Sequence, residues 1–323
     1  MEYGNIKHVK KPLSRLVHGT IMLKEKEMEQ GFDLLDAIYE AGCRTWDCAN
    51  IYGGGQCERV LGQWSDARGN RDEIVILTKG CHHTADRRRV TPYDISTDLH
   101  TSFARLKTDY IDIYVLHRDD PDVPVGPIVE TLNEYHEAGS IGAFGGSNWK
   151  PGRIAEANEY AEKHSLVPFT VSSPNFSLAE QFDEPWADCF TISGPQNAAD
   201  RAWYAEQSMP LFTWSSLAQG FLSGRITHDN WEQVKKDFPE PVTRCYAHAP
   251  NFERLGRVEQ LAKEKDMTVP QVSLAYVLQN PGLDVYALIG TFTGAEFTEN
   301  IRALEVKLTA EEVEWLDLRR ETR

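Results

Sequence analysis

Short runs of apolar and β-branched residues alternate along the chain with longer stretches whose apolar positions recur every three or four residues. The first run, Leu16–Met22, reads as a strand. Met28, Phe32, Leu35 and Tyr39 then fall on one stripe of a helix, and Gly42 is placed to stop it. Arg44–Cys48 is short and extended, Glu58–Trp64 is helical around Val60 and Leu61, and Glu73–Thr78 is apolar almost throughout, as a strand buried on both faces should be. A helix from Pro92 carries Ile95, Leu99, Phe103 and Leu106 and leads to a strand over Ile111–Leu116. The alternation continues with helix Ile128–Ala138, strand Ile141–Gly145, helix Gly152–Lys163 and strand Phe169–Ser172. Ala198–Gln207 reads as helix, Pro210–Trp214 as strand, Tyr286–Ile289 as the last strand and Ala295–Leu304 as its helix. Thr309 with Glu312 three residues on has the form of a capping box, opening a final helix over Thr309–Arg320.

Strands separated by single helices imply parallel pairing with right-handed crossovers. About eight such units in a chain of this length favour one domain, a closed (β/α)8 TIM barrel, over an open doubly wound sheet. The open sheet is disfavoured further because the first strand, LVHGTIML, has only Gly19 where a dinucleotide-binding turn needs GxGxxG. One connection stands out. Roughly forty residues rich in glycine, proline and aromatics follow Trp214, a length that marks ligand clamps and lids, with Trp231–Asp237 expected as a short helix inside.

The 323 residues include 34 basic and 49 acidic side chains, a net charge of −15, which argues against a nucleic-acid groove or an anionic membrane surface as partner. No apolar run approaches the roughly 20 residues of a membrane helix, and the N-terminal MEYGNIKHVKKPLSRL has no apolar core of a signal peptide. Cys43, Cys48, Cys57, Cys81, Cys189 and Cys245 are scattered without a CxxC pair, as expected of reduced thiols in a cytoplasmic protein. Cys81-His82-His83 lack ligand spacing, so no metal is expected there. Arg87-Arg88-Arg89 reads as a solvated basic face.

In a barrel of this kind reactive side chains sit at the carboxyl ends of strands. Asp47, Lys79 and His117 lie at such ends in three consecutive units, and Tyr52 lies in the loop after the first. A phenol with an ordinary pKa near 10 is a poor acid at neutral pH. A nearby ammonium favours its phenolate, a carboxylate keeps that ammonium charged, and an imidazole can hydrogen-bond the reacting oxygen. Together the four can protonate a carbonyl oxygen, with Tyr52 as acid, Lys79 as its tuner, Asp47 as the partner of Lys79 and His117 as polarising donor.

The segments DCANIYGGGQCERVLGQW, ILTKG, DIYVLHRDD and AFGGSNW resemble those that bear the catalytic tetrad of the aldo-keto reductase family. The opening MEYGNIKHVKKPLSRLVHGTIM resembles that family's entry hairpin and first strand. WSSLAQGFLSGR resembles its pyrophosphate-covering segment, and LIGTFTGAEFTENI its adenosine-binding turn and helix. The resemblance implies a metal-free, NAD(P)H-dependent enzyme that interconverts carbonyls and alcohols, with Asp47, Tyr52, Lys79 and His117 as the tetrad. It implies that Ser147 and Asn148 hold the nicotinamide carboxamide and that Trp214 stacks on the ring. It gives Ser216, Leu217, Gln219 and Ser223 to the pyrophosphate, with Gly220 and Gly224 leaving room for backbone amides, and Glu299 and Asn300 to the adenine. Thr20, Gly290 and Thr291 are further expected cofactor contacts.

Departures from the family pattern refine this. VSSPNFS offers Ser172 or Ser173 where relatives often have a glutamine for the carboxamide, and a hydroxyl cannot reproduce both ends of an amide. Relatives that prefer NADPH commonly place a Lys and an Arg where this chain has Gly290 and Glu296. A carboxylate repels a 2′-phosphate and accepts from a free 2′-hydroxyl, so NADH is expected to serve at least as well as NADPH. Ile21, Met22, Tyr52, His117 and Trp149, with Trp186 or Trp203, are expected to form the substrate wall. Polar neighbours such as His82, Arg118, Asp119 and Asp120 point to a sugar-related or hydroxylated carbonyl, an apolar wall to an aromatic aldehyde. Two other readings are compatible with the motifs: a cofactor-binding regulatory subunit with little turnover, and a Schiff-base aldolase or lyase using Lys79.

Overall fold

The apolar runs of the first half become strands because each is flanked on both faces. In the computed structural model, which describes residues 1–227 and 229–323, the chain forms two compact units. The first comprises Met1–Ser173 with Gly290–Gly294. An antiparallel pair, β1 (Tyr3–Gly4) and β2 (Leu13–Ser14), precedes the regular alternation. That alternation runs β3 (Leu16–Gly19), α1 (Met28–Glu40), β4 (Thr45–Asp47), α2 (Gln56–Arg68), β5 (Val75–Gly80) and α3 (Pro92–Leu106). It continues with β6 (Ile111–Leu116), α4 (Val125–Glu137), β7 (Ile141–Ser147), α5 (Pro151–Lys163) and β8 (Val171–Ser173). Every residue of β5, β6 and β7 is buried, as parallel strands covered by helices require.

Parallel register decides what this unit can do. Gly19 pairs with Asp47, Asp47 with Leu77, Gly80 with Leu116 and Leu116 with Gly146. The carboxyl ends of β3 to β7 therefore finish on one edge, and the segments that follow emerge together. β3 stops at Gly19, short of the expected Met22, because the chain turns there, the Leu23 amide donating to the Thr20 carbonyl at 3.0 Å; the Thr20 amide and hydroxyl both donate to the Asp47 carbonyl, at 2.9 Å each. α1 buries Gly31, Leu35 and Ile38, a face turned from the expected stripe, while Phe32 and Tyr39 stay half-buried. Thr91 caps α3 with Asp94 in a capping box behind Pro92. Arg87 closes on Asp94 at 2.9 Å and Arg89 on Asp98 at 2.8 Å, so the basic run pairs with that helix while Arg87 and Arg88 stay exposed, as expected of a solvated face.

The second unit comprises Pro174–Ile289 with Ala295–Arg323. It holds α6 (Ala198–Gln207), β9 (Pro210–Thr213), α7 (Trp231–Val234), α8 (Glu240–Tyr246), α9 (Ala249–Glu264), α10 (Val269–Leu278), β10 (Asp284–Ile289), α11 (Gly294–Ile301) and α12 (Ala310–Leu316). β9 and β10 pair in parallel, Leu211 against Val285. The long connection after Trp214 contains α7, a 3-10 turn over Lys235–Asp237, and α8, which the sequence pattern does not announce. α10 is also absent from the sequence reading. Residues 271 to 277 are all buried, so VPQVSLAYVL has no polar face to produce a helical period. The capping box at Thr309 and Glu312 opens α12, which ends at Leu316 rather than Arg320.

The eight parallel strands order as a closed barrel, β10-β3-β4-β5-β6-β7-β8-β9, and the fold is a (β/α)8 TIM barrel. All six cysteines are free thiols. Among the described residues no helix is long and apolar enough to cross a membrane.

His18, fully buried on β3, accepts at Nε2 from the Thr291 amide at 3.3 Å, and burial pushes its pKa down to about 4. An unfolded chain takes up that proton from about pH 6.5 downward while the folded one refuses it, so stability falls as pH drops through this window. The expected contribution is about 3 kcal/mol between pH 6.5 and 4. Urea unfolding across this range should show a markedly shallower pH slope in His18→Gln; an identical slope would assign the loss to other groups.

Candidate active site

Lys79, next to last on β5, is 2% exposed and would be untenable there as an isolated charge. Asp47, the last residue of the neighbouring β4 and 4% exposed, forms an ion pair with its ammonium. The Cys48 carbonyl accepts a second hydrogen bond from Nζ at 3.2 Å. Burial is the largest influence and acts to lower the Lys79 pKa, but Asp47, Tyr52 and Cys48 together outweigh it and the group is held above its ordinary value, as an ammonium. Cys48 and Asn50 are fixed in turn by backbone bonds to Leu77 and Lys79, both 2.8 Å.

After Asn50 the chain turns through Tyr52 and then three consecutive left-handed glycines, Gly53, Gly54 and Gly55. Such a run is costly for residues with a Cβ. At Gly55 there is a second reason, since a Cβ would lie 2.2 Å from the Arg105 guanidinium. Arg105 reaches over from α3 to donate to the Asn50 carbonyl at 2.7 Å and to pair with Glu58 at 3.2 Å. Glu58, fully buried, also accepts from the Thr78 hydroxyl at 2.8 Å. The Tyr52 turn is thereby tied to α3 and to the strand carrying Lys79. This support was not singled out in the sequence; the only sign of it is a charged residue inside the helical QCERVLG.

The Lys79 Nζ lies 5.3 Å from the centroid of the half-buried Tyr52 ring, and His117 meets the same ring edge-on at 5.8 Å. Thus four residues from three consecutive strand ends converge. Their electrostatics differ from the sequence expectation in one respect. Lys79 does pull the Tyr52 pKa down, but burial is the larger influence and the phenol is pushed up to about 12. Burial, reinforced by Lys79 and Arg118, also drives His117 well below its ordinary value, so the ring is neutral at physiological pH. Its Nδ1 is sealed without a hydrogen-bond partner.

Beside His117, Asn148 adopts a left-handed backbone and donates from Nδ2 to the His117 carbonyl at 3.2 Å. Ser147 Oγ donates to the Ser173 carbonyl at 2.8 Å. Of the two serines on β8, Ser172 spends its hydroxyl on the Gly146 carbonyl, while Ser173 Oγ is buried without a partner. Trp149 is fully buried; Gly146 leaves it room, and its Nε1 donates to the Arg118 carbonyl at 3.1 Å. A sealed side chain cannot line a substrate wall, so its expected place there is corrected. Ile21 is 63% exposed and Met22 half-buried. Thr20 and Thr291 are buried and turned inward, to Asp47 and His18, whereas Gly290 is exposed.

In the second unit, Trp214 follows β9 with its amide donating to Pro174 at 3.1 Å, and its Nε1 is buried and unpartnered. Trp186, 54% exposed, lies 6.3 Å from it, while Trp203 packs on its α6 neighbour Tyr204. Ser215, Ala218, Gln219 and Gly220 all have positive φ, and strain of this kind in non-glycine residues gathers at ligand sites. Gln219 Nε2 is another orphaned buried donor. Ser216 and Ser223 donate within the turn, to Thr213 at 2.8 Å and Gly220 at 2.7 Å, and the Gly220 amide is itself spent on Leu217. Leu217 is half-buried, Gly224 and Glu296 are exposed, the latter in the first turn of α11. Asn300 is buried, and the Glu299 carbonyl accepts from Gln271 at 2.8 Å.

Comparison with known proteins follows the same line. The sequence model of the Aldo/keto reductase family matches residues 15–319. The chain is 27% identical over 322 residues to a putative aryl-alcohol dehydrogenase of Saccharomyces cerevisiae, covering 90% of this chain and 86% of that one. It is 28% identical over 300 residues to a norsolorinic acid reductase of Emericella nidulans, covering 88% and 70%. An uncharacterized oxidoreductase of Bacillus subtilis is 26% identical over 328 residues, covering 96% and 93%.

Removing one member of the Asp47–Lys79 pair strands a buried charge, whereas removing both does not. Asp47→Asn is expected to lower unfolding free energy by about 3–5 kcal/mol, and the double variant Asp47→Asn/Lys79→Met to recover most of it. Urea denaturation checks this; additive losses in the double variant would mean the two residues act separately.

Proposed function

The chain belongs to the aldo/keto reductase family, and from that premise we propose that it is an NAD(P)H-dependent oxidoreductase reducing an aldehyde or ketone to an alcohol, with Tyr52 as general acid. The observation that carries this reading is the buried Asp47–Lys79 pair against the Tyr52 ring, with a neutral His117 on the same ring. The orphaned polar atoms of Ser173, Trp214 and Gln219 fit a cofactor that would complete them. In this reading Ser147, Asn148 and Ser173 take the carboxamide, Trp214 the nicotinamide face, and Ser216, Leu217, Gln219 and Ser223 the pyrophosphate. Thr20, Gly290 and Thr291 border the same cofactor, and Glu299 and Asn300 take the adenine.

Reduced nicotinamide, when bound, supplies the hydride that enters the carbonyl carbon. Tyr52 gives its proton to the carbonyl oxygen as the C=O bond becomes C–OH, and the phenolate left behind is stabilised by the Lys79 ammonium before solvent returns a proton. A phenol at about 12 is fully protonated at neutral pH, so the donor is always loaded. Neutral His117 can donate one N–H to the same oxygen without repelling Lys79. Because Asp47 keeps Lys79 protonated, a Schiff-base role for that lysine is disfavoured. The similarity to an aryl-alcohol dehydrogenase and a norsolorinic acid reductase puts aromatic aldehydes and ketones beside sugar-related carbonyls as the first substrates to screen.

Tyr52→Phe should lower kcat by about 10²–10⁴-fold while cofactor affinity, read by fluorescence titration, stays near wild type. Unchanged turnover would remove Tyr52 from its role. For the cofactor, exposed Glu296 faces solvent where a 2′-phosphate would need a cation. NADH is expected to support kcat/KM at least equal to that with NADPH, and Glu296→Lys to shift the ratio toward NADPH by about tenfold; a strong wild-type preference for NADPH overturns this.

A further inference from the structure

The tetrad leaves one titratable ring at the same strand end unexplained. His82, three residues beyond Lys79, meets the His117 ring edge-on at 4.8 Å and 83°. It is half-buried, more open than His117, which is 7% exposed. Its Nδ1 lies 2.9 Å from the His83 carbonyl oxygen. A carbonyl only accepts, so Nδ1 carries the hydrogen and the neutral ring must present a lone pair at Nε2. That nitrogen makes no hydrogen bond among the described residues. Burial, helped by Arg118, His83 and Arg89, holds the ring below its ordinary pKa and so in this neutral form. His83 does not share the task, because its Nε2 is engaged 3.3 Å from the Asp119 carbonyl.

We infer that His82 is a specificity-determining residue, whose Nε2 accepts a hydrogen bond from a hydroxyl carried by the substrate next to its carbonyl. The inference rests on the reductase reading and narrows its substrate class to hydroxylated carbonyls, whether α-hydroxy aldehydes or phenolic aromatic aldehydes. A fixed acceptor rewards a donor and gives nothing to an analogue that lacks one. It also repels a carboxylate at the same position, lone pair against lone pair. The His82 ring meets the His117 ring, which in turn meets Tyr52, so the acceptor belongs to the same cluster.

Two matched pairs test this: 2-hydroxybenzaldehyde against benzaldehyde, and glyceraldehyde against propionaldehyde. In wild type the hydroxylated member of at least one pair should have a kcat/KM about tenfold higher, expressed in KM, and the pair that shows it identifies the aromatic or the aliphatic source. His82→Phe keeps an aromatic edge against His117 but no acceptor, and should collapse the ratio to near one. His82→Gln, which restores an acceptor oxygen, should recover part of it. A merely structural role would slow both members equally. Calorimetric titration with 2-hydroxybenzyl alcohol and benzyl alcohol gives the same ratio without turnover. Absence of nicotinamide oxidation with every carbonyl would sink the reductase reading. Equal affinities in wild type, or a ratio that survives His82→Phe, would sink this inference alone.

Discussion

A lysine ammonium and an aspartate carboxylate, both withdrawn from water at adjacent strand ends, set the terms for everything around them. Taking two such charges into a protein interior costs several kcal/mol each, and their attraction repays this only where geometry and extra hydrogen bonds are good. Here the repayment is visible in the backbone. The Cys48 carbonyl takes a second Lys79 donor, and the Thr20 amide and hydroxyl fix the Asp47 carbonyl. An apolar pair of the same size would pack there more cheaply. It could not hold a positive charge 5.3 Å from the Tyr52 ring, and that charge is what makes the phenol's environment chemically asymmetric.

A second buried pair, Glu58 with Arg105, supports the first from behind. Arg105 is the longer reach: it binds the Asn50 carbonyl and fills the space that Gly55 leaves open. Because Thr78 bonds Glu58 and sits next to Lys79, helix α2, helix α3 and strand β5 share one polar seam beneath the Tyr52 turn. A turn with three left-handed glycines has little stiffness of its own. The seam is what gives it one conformation, and with it one position for the phenol.

How much of this could be read beforehand depended on where each property is encoded. Ile111–Leu116 and Ala198–Gln207 coincide with their sequence patterns because an apolar run or an amphipathic stripe ends where its flanking turn begins. Helix α10 was invisible for the opposite reason: buried on every side, it has no stripe. The convergence of Asp47, Tyr52, Lys79 and His117 was legible because parallel register sends the carboxyl ends of these strands to the same edge, so position along a strand predicts place in space. The sign of the Tyr52 shift was not. It depends on how closely the neighbours exclude water, and neither residue type nor spacing states that. Trp149 failed likewise, since its burial follows from the gap at Gly146, and the ion pairs of the largely exposed arginine run were unreadable because Asp94 and Asp98 lie across a loop.

The direction of the Tyr52 shift bears on the direction of the proposed chemistry. With the phenol at about 12, roughly one molecule in 10⁵ carries phenolate at pH 7. In the proposed reaction the phenol is therefore always loaded with its proton, and its phenolate is scarce. Passing a proton from such a phenol to an oxygen that is becoming an alkoxide remains downhill, because an alkoxide is more basic still. Lys79 then restrains the shift rather than reversing it. In the proposed reaction the buried pair thus keeps the half-buried phenol of Tyr52 usable as an acid.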